Sequence, residues 1–427
     1  MSGYIASESL CAAGRTSVPL PPTLVLMRPF RVRPLFVLSL LVAPAFAAAQ
    51  SAPTPPPAPQ DKPWKFAPRL VIGAESDDNV FLLPPIKRAD PAAPSLAELI
   101  SGRYTGMESA ADLITTVDAT LAVRGAGLGG WDLTVTPEVT YESYARNGER
   151  SNAAFGVSIE QLLRREGRVR VRAQLQPSYF SRNYLADAVD ANLDGSIQPA
   201  ERVYARGEYS ESALQIDYRR RLAKASSSHP FGAWLLVGVG FADRTYDAPF
   251  SARDFSGVTG TARLQFDLAH GVELATSYDF ALLGSPRTTQ VILLDEPVYG
   301  QDLNGNATAT DLNARAVGAV DRSRVEQAIG EAARFNFTKA TDLELTVEYR
   351  WRAFTSNEPY DVANNGRRDH RMQLGVETSH RVNGIVRLFA GGVYGKQNLN
   401  RRVDLGAEGA VDDYSKLQLH AGLRLTR

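Results

Sequence analysis

The stretch Ala111-Asp112-Leu113-Ile114-Thr115-Thr116-Val117-Asp118-Ala119-Thr120-Leu121-Ala122-Val123-Arg124 decides the fold. Leu113, Thr115, Val117, Ala119, Leu121 and Val123 fall on one side of an extended chain. Asp112, Thr116, Asp118, Thr120 and Arg124 fall on the other. A period of two marks a strand with one apolar and one polar face. Soluble strands cluster near five or six residues, whereas a tilted strand crossing a membrane needs roughly 9–11. This run satisfies the second requirement.

The pattern recurs outward from there. Trp131, Leu133, Val135, Val139 and Tyr141 alternate with Asp132, Thr134, Thr136, Glu138, Thr140 and Glu142. Val169, Val171, Ala173, Leu175 and Tyr179 alternate with Arg170, Arg172, Gln174, Gln176 and Ser178. Leu343, Leu345, Val347, Tyr349 and Trp351 alternate with Glu344, Thr346, Glu348, Arg350 and Arg352. Such runs are expected at 65–75, 111–124, 131–144, 152–163, 169–180, 203–220, 233–246, 255–269, 272–282, 322–338, 343–354, 368–381, 385–397 and 414–426. Within 322–338 the residues Ala328-Ile329-Gly330-Glu331-Ala332-Ala333 would also suit a helix.

Short links at 125–130, 164–167, 270–271, 339–342 and 382–384 alternate with long ones at 76–110, 180–201, 283–320, 355–366 and 398–413. Links 145–151 and 222–232 are intermediate. Outer-membrane barrels join their strands by short periplasmic turns and long extracellular loops. The expected fold is therefore all-β: a transmembrane antiparallel β-barrel of about 14 strands, within roughly 12–16, with both termini in the periplasm. Its polar face carries both signs of charge, with Glu138 and Glu142 two strands from Arg170 and Arg172.

The N-terminal region reads as an address. Arg28, Arg31 and Arg33 precede the apolar run from Leu35 to Val42, and Ala45-Phe46-Ala47-Ala48-Ala49 follows. This is the order of a cleaved secretory signal, and the run is too short to span a bilayer. Residues 27–49 are expected to be that signal. Residues 1–26 form an extension without evident role, and 50–64 a proline-rich periplasmic linker. The barrel would occupy 65–427.

Composition narrows the function classes. Across 427 residues Lys plus Arg and Asp plus Glu are equal, at 47 each, so no basic excess points to nucleic acid. The single cysteine, Cys11, lies ahead of the expected cleavage point, which removes disulfides and cysteine-ligated metals. His229, His270, His370, His380 and His420 contain no zinc-helix spacing. Asp369 and His370 are adjacent on an expected strand and point to opposite faces, a poor arrangement for joint catalysis. Neither a Gly-x-Ser-x-Gly elbow nor a phosphate-binding glycine loop occurs, so no enzyme is expected.

One motif carries metal chemistry. Asp190-Ala191-Asn192-Leu193-Asp194-Gly195-Ser196-Ile197-Gln198-Pro199-Ala200-Glu201 follows the twelve-residue EF-hand loop. Asp190, Asn192 and Asp194 would offer side-chain oxygens, and Ser196 its carbonyl. Gln198 would act directly or through water, and Glu201 would bind with both oxygens. Gly195 would allow the sharp turn. No helix pair flanks the loop, so the expected role is a calcium staple that orders a surface loop rather than a calmodulin-type switch. Asp302-Leu303-Asn304-Gly305-Asn306-Ala307-Thr308 begins similarly but lacks the sixth-position glycine and the closing Glu.

The segment Ser76-Asp77-Asp78-Asn79-Val80-Phe81, following Ile72-Gly73-Ala74-Glu75, resembles the opening of β-barrel porin families of polysaccharide-producing proteobacteria. Their first strand runs into an Asp-Asn-Val/Ile-Phe/Tyr segment. The resemblance implies an outer-membrane barrel connected with the export of surface polymers. The calcium-type loop departs from that pattern. So does the last strand, which ends on Arg427 where many such barrels end on an aromatic. Three functions stay open. The first is a porin-like channel for small solutes or surface polymer. The second is a non-conducting surface barrel whose calcium-ordered loops bind a partner or glycan. The third is an outer-leaflet hydrolase, for which no constellation is present.

Overall fold

The computed structural model describes residues 63–82, 108–163, 167–188, 202–224, 231–268, 271–286, 288–293, 315–357, 361, 364–400 and 413–426. Its strands are β1 (Lys65–Asp77), β2 (Asp112–Ala126), β3 (Asp132–Tyr144), β4 (Asn152–Leu162), β5 (Arg168–Ala188), β6 (Arg202–Ala223), β7 (Gly232–Tyr246), β8 (Phe255–Asp267), β9 (Val272–Gly284), β10 (Thr288–Leu293), β11 (Arg315–Val320), β12 (Arg324–Asn336), β13 (Thr341–Phe354), β14 (Arg368–Arg381), β15 (Val386–Asn400) and β16 (Tyr414–Thr426). Fourteen of them close into one antiparallel barrel, in which β1 pairs with both β2 and β16. β10 and β11 form a separate two-stranded sheet between β9 and β12.

Each of the fourteen expected runs is a barrel strand. The stretch 324–336 is strand and not helix, because it supplies the ladder partners of both β9 and β13. Pairing on both sides satisfies its backbone groups, and tertiary context overrides the local helix preference of its alanines. The β10–β11 hairpin was not expected within the link 283–320. Strands β5 and β6 are also longer than expected, at 21 and 22 residues. Register shifts at Gln176/Tyr179, Phe180/Arg182 and Leu185/Asp187 break the alternation there. Bulges of this kind bend a strand and hide its period.

The ladder sorts side chains into two surfaces. Val347, Leu374, Tyr394 and Leu417 stand in one row across β13 to β16, all exposed. Ile329, Tyr349 and Met372 form another such row. Exposed Trp64, Phe66, Leu128, Trp131, Phe231, Phe337 and Ile385 ring the rim that carries the short turns. An apolar outer band with aromatics at its border is the surface of a barrel that crosses a membrane, where a closed ladder leaves no edge unpaired. The polar neighbours of these residues along each strand face inward.

The barrel closes at β1 and β16. Gly73 lies opposite Gly422, and the Phe389 ring covers the pair from within. A Cβ on Gly422 would come 2.3 Å from the Ile72 carbonyl oxygen and 2.6 Å from the tip of the Phe389 ring. The seam needs glycine there because backbone and ring approach so closely.

Candidate functional site

The segment that carried the family resemblance is a clasp over this seam. Asn79 is fully buried, and its backbone N–H donates to Asp77 Oδ1 at 2.9 Å. Its amide Nδ2 donates to the Ser415 carbonyl at 3.0 Å. Asp78 Oδ1 accepts from the Leu417 N–H at 2.8 Å, and Asp77 pairs with Lys416 at 2.8 Å. Val80 and Phe81 then pack with Ile114 and Tyr144. The Asp-Asp-Asn-Val-Phe sequence thus fastens the first strand to the last and turns the chain over the mouth. Its polar side chains serve closure.

From Phe81 a belt of arginines and aromatic rings runs along the mouth at the long-loop end. Arg150 is buried, with its guanidinium 5.0 Å from the Phe81 ring and 5.1 Å from that of Tyr179. It donates to the Ser181 carbonyl at 2.8 Å and to the Tyr179 hydroxyl. Tyr179 and Tyr209 lie 5.2 Å apart, and Tyr209 and Tyr246 5.1 Å. Arg244 sits 4.0 Å over Tyr209 and 5.0 Å from Phe255, and pairs with Glu211 at 2.5 Å. Arg324 stacks on Phe255 at 4.4 Å. The belt continues as a ladder rung across three strands. Glu326, Arg352 and Asp369 are register partners, joined by ion pairs of 3.1 Å each. Arg324 pairs with Glu326 at 2.5 Å, and Arg367 with Asp369 at 2.7 Å. Guanidiniums stack on rings and fork onto carboxylates in one arrangement, a combination that lysine would not provide.

Strands β5 and β6 run past this belt. Residues 202–208 of β6 pair only with β5, since β7 joins β6 from Tyr209 onward. The link 247–254 between β7 and β8 clasps this extension. Asp247 N–H donates to the Glu208 carbonyl at 3.0 Å. Tyr184 of β5 is buried against Tyr246 and Phe250 at 6.0 and 5.4 Å. Arg253 stacks on the Tyr184 ring at 3.6 Å, with Arg182 5.4 Å from the same ring. Burial pushes the Arg253 guanidinium down to about 9, against the pull of Tyr184 and with the push of Arg322. Burial likewise lowers Arg322, and Asp361 opposes that shift most strongly.

The lumen wall away from the mouth is also charged. Arg170 pairs with buried Asp217 at 2.6 Å, and Arg387 with Asp342 at 2.6 Å. Trp234 points inward between Arg219 and Arg221, 4.6 and 4.8 Å from them.

The calcium-loop residues Asp190, Asn192, Asp194, Ser196, Gln198 and Glu201 lie outside the described residues, as does the segment 302–308. What the structure adds is the frame. The loop joins the two strands that outrun the barrel wall. Among the described residues no group of three or more His, Cys, Asp or Glu could hold a metal ion. Asp369 is committed to Arg352 and Arg367, while His370 occupies the other face of β14. The mouth belt escaped the sequence reading because its members are scattered from Phe81 to Asp369. One signal was available. Tyr179, Tyr209 and Tyr246 fall at the long-loop ends of three successive strands.

No protein-family model matches the chain, and no curated protein matches its sequence. Solved structures similar to it are outer-membrane barrels. One is OmpTdeltaL8, a loop L8 deletion mutant of OmpT, an outer membrane protein of Vibrio cholerae, at 10% identity and TM-score 0.34, over 86% of this chain and 100% of that one. Another is the outer membrane channel DcaP of Acinetobacter baumannii, at 9% identity and TM-score 0.38, over 86% and 98%. A third is OpdK of Pseudomonas aeruginosa, solved with vanillate, at 10% identity and TM-score 0.34, over 85% and 99%. Likeness at this level carries no argument about register, lumen or solute. The closed membrane-crossing barrel rests on this chain's own ladder and surfaces.

Proposed function

We propose that this chain is a porin-like channel of a Gram-negative outer membrane, with a calcium-stapled extracellular loop. The observation that carries the reading is the sorting of side chains. The outside is an apolar band, and the inside is lined by charges of both signs from nearly every strand. A barrel closed around water needs that polar interior, and small solutes cross through it. The secretory signal expected at 27–49 brings such a chain to the periplasm, from which outer-membrane barrels are inserted. Swelling of liposomes that contain the protein, in an iso-osmotic small sugar or amino acid, tests the reading. Swelling faster than in empty liposomes is expected, and equal rates would end it.

The calcium part of the proposal rests on the six residues Asp190, Asn192, Asp194, Ser196, Gln198 and Glu201 and on the frame that presents them. Strands β5 and β6 outrun the barrel wall, which supports an external loop, and extracellular calcium modules bind weakly, at about 10⁻⁴–10⁻³ M. Calcium is expected to slow proteolysis within 181–202 relative to chelator. Glu201→Gln removes the bidentate ligand and should make the two rates equal. A wild-type loop cut equally fast with calcium and with chelator would refute the staple. The same projecting hairpin supports a second reading, a surface barrel whose ordered loop binds a partner or glycan.

A further inference from the structure

Arg253 is the member of the mouth cluster whose charge is opposed chiefly by tyrosines, Tyr184 and Tyr246. Its guanidinium makes no ion pair and no side-chain hydrogen bond among the described residues, although Arg150, Arg244, Arg324, Arg352 and Arg367 each make at least one. It is half-buried, stacked on Tyr184 at 3.6 Å. Arg182 approaches the same ring at 5.4 Å. Arg322, just before β12, is close enough to repel it. Two guanidiniums therefore converge on one tyrosine at the mouth, with a third, Arg322, near Arg253. The ring faces offset part of the repulsion, but like charges held together in a sheltered place still favour an anion between them. An arginine fork fits the planar or tetrahedral oxygens of a carboxylate or phosphate in a bidentate manner. The position also suits a passing solute. Arg253 lies on the β7–β8 link, at the mouth, above the belt through which anything entering from the long-loop side must pass.

We propose that Arg253, with Arg182 over the Tyr184 ring and Arg322 nearby, forms an oxyanion-binding site at the extracellular mouth, which takes the carboxylate or phosphate group of a small solute. The site deepens the channel reading by giving its solutes a chemical class, and it rests on that reading for its purpose, though not for its existence.

Calorimetric titration of the detergent-solubilised barrel with inorganic phosphate, and separately with succinate, tests the site without requiring conduction. At least one of the two anions should bind. Arg253→Gln should weaken that binding tenfold or more, and Arg253→Lys should keep a larger part of it. Arg253 is on a link, and the heat-shifted gel mobility of a folded barrel checks that each variant is folded. Binding of neither anion by wild type, or equal binding by wild type and Arg253→Gln, would overturn the proposal. Arg253-dependent binding in a barrel that does not conduct would sustain the site and retire the channel reading. A conducting barrel indifferent to Arg253→Gln in titration would do the reverse.

Discussion

Asp369→Ala should destabilise the barrel more than any other single change at the mouth, by roughly 3–5 kcal/mol. Asp369 is fully buried and accepts from two guanidiniums, Arg352 at 3.1 Å and Arg367 at 2.7 Å. Its removal leaves both arginines in place without the carboxylate they share. The cost of breaking a buried pair is mainly the cost of stranding the remaining charge. Glu326 still serves Arg352 from the other side, so Arg367 is left the more exposed to this penalty. Urea titration of the protein in phospholipid vesicles measures the change as a shift in midpoint. A loss below about 1 kcal/mol would mean that the rung behaves as a surface ion pair, open to lumen water.

The second large effect belongs to the outer face. Val347→Arg places a charge in the middle of the exposed apolar row Val347, Leu374, Tyr394 and Leu417. A charge facing lipid at the midplane of a barrel costs about 2–4 kcal/mol. The adjacent residue is the control. Thr346 points to the other side of β13, so Thr346→Arg meets lumen water and should cost within about 1 kcal/mol. The same urea titrations compare the two. Similar losses from both would show that the face assigned to lipid is not in lipid.

The barrel was legible in the sequence because a strand buried on one side only writes its face into every second residue. Leu113 to Val123 and Leu343 to Trp351 carry that mark without interruption. The mark fades wherever the chain leaves the wall. Strand β5 was expected to end near Phe180, yet it runs to Ala188 through three register shifts, each of which resets the alternation. Strands β10 and β11 have six residues each and pair only with each other, so nothing in the barrel's period announces them. The seam clasp was visible as a motif, but its work was not. Asn79 bonds to Ser415, 336 positions away, and only closure brings the two together. The mouth belt was hidden for the same reason. Its contacts join Arg150 to Tyr179, and both Arg244 and Arg324 to Phe255, across strands whose neighbours are set by topology. The calcium motif is the opposite case. Six candidate ligands within twelve consecutive positions can be proposed from sequence alone, because the geometry such a site needs is local.

The most direct test of the channel is single-channel recording of the purified protein in a planar bilayer, with calcium and then with chelator. The account predicts discrete, steady conductance steps that persist in both conditions, with a change in step size or open time on chelation if the 190–201 loop borders the path. A verified folded barrel that inserts and gives no steps in either condition would contradict the channel and leave the surface reading in its place.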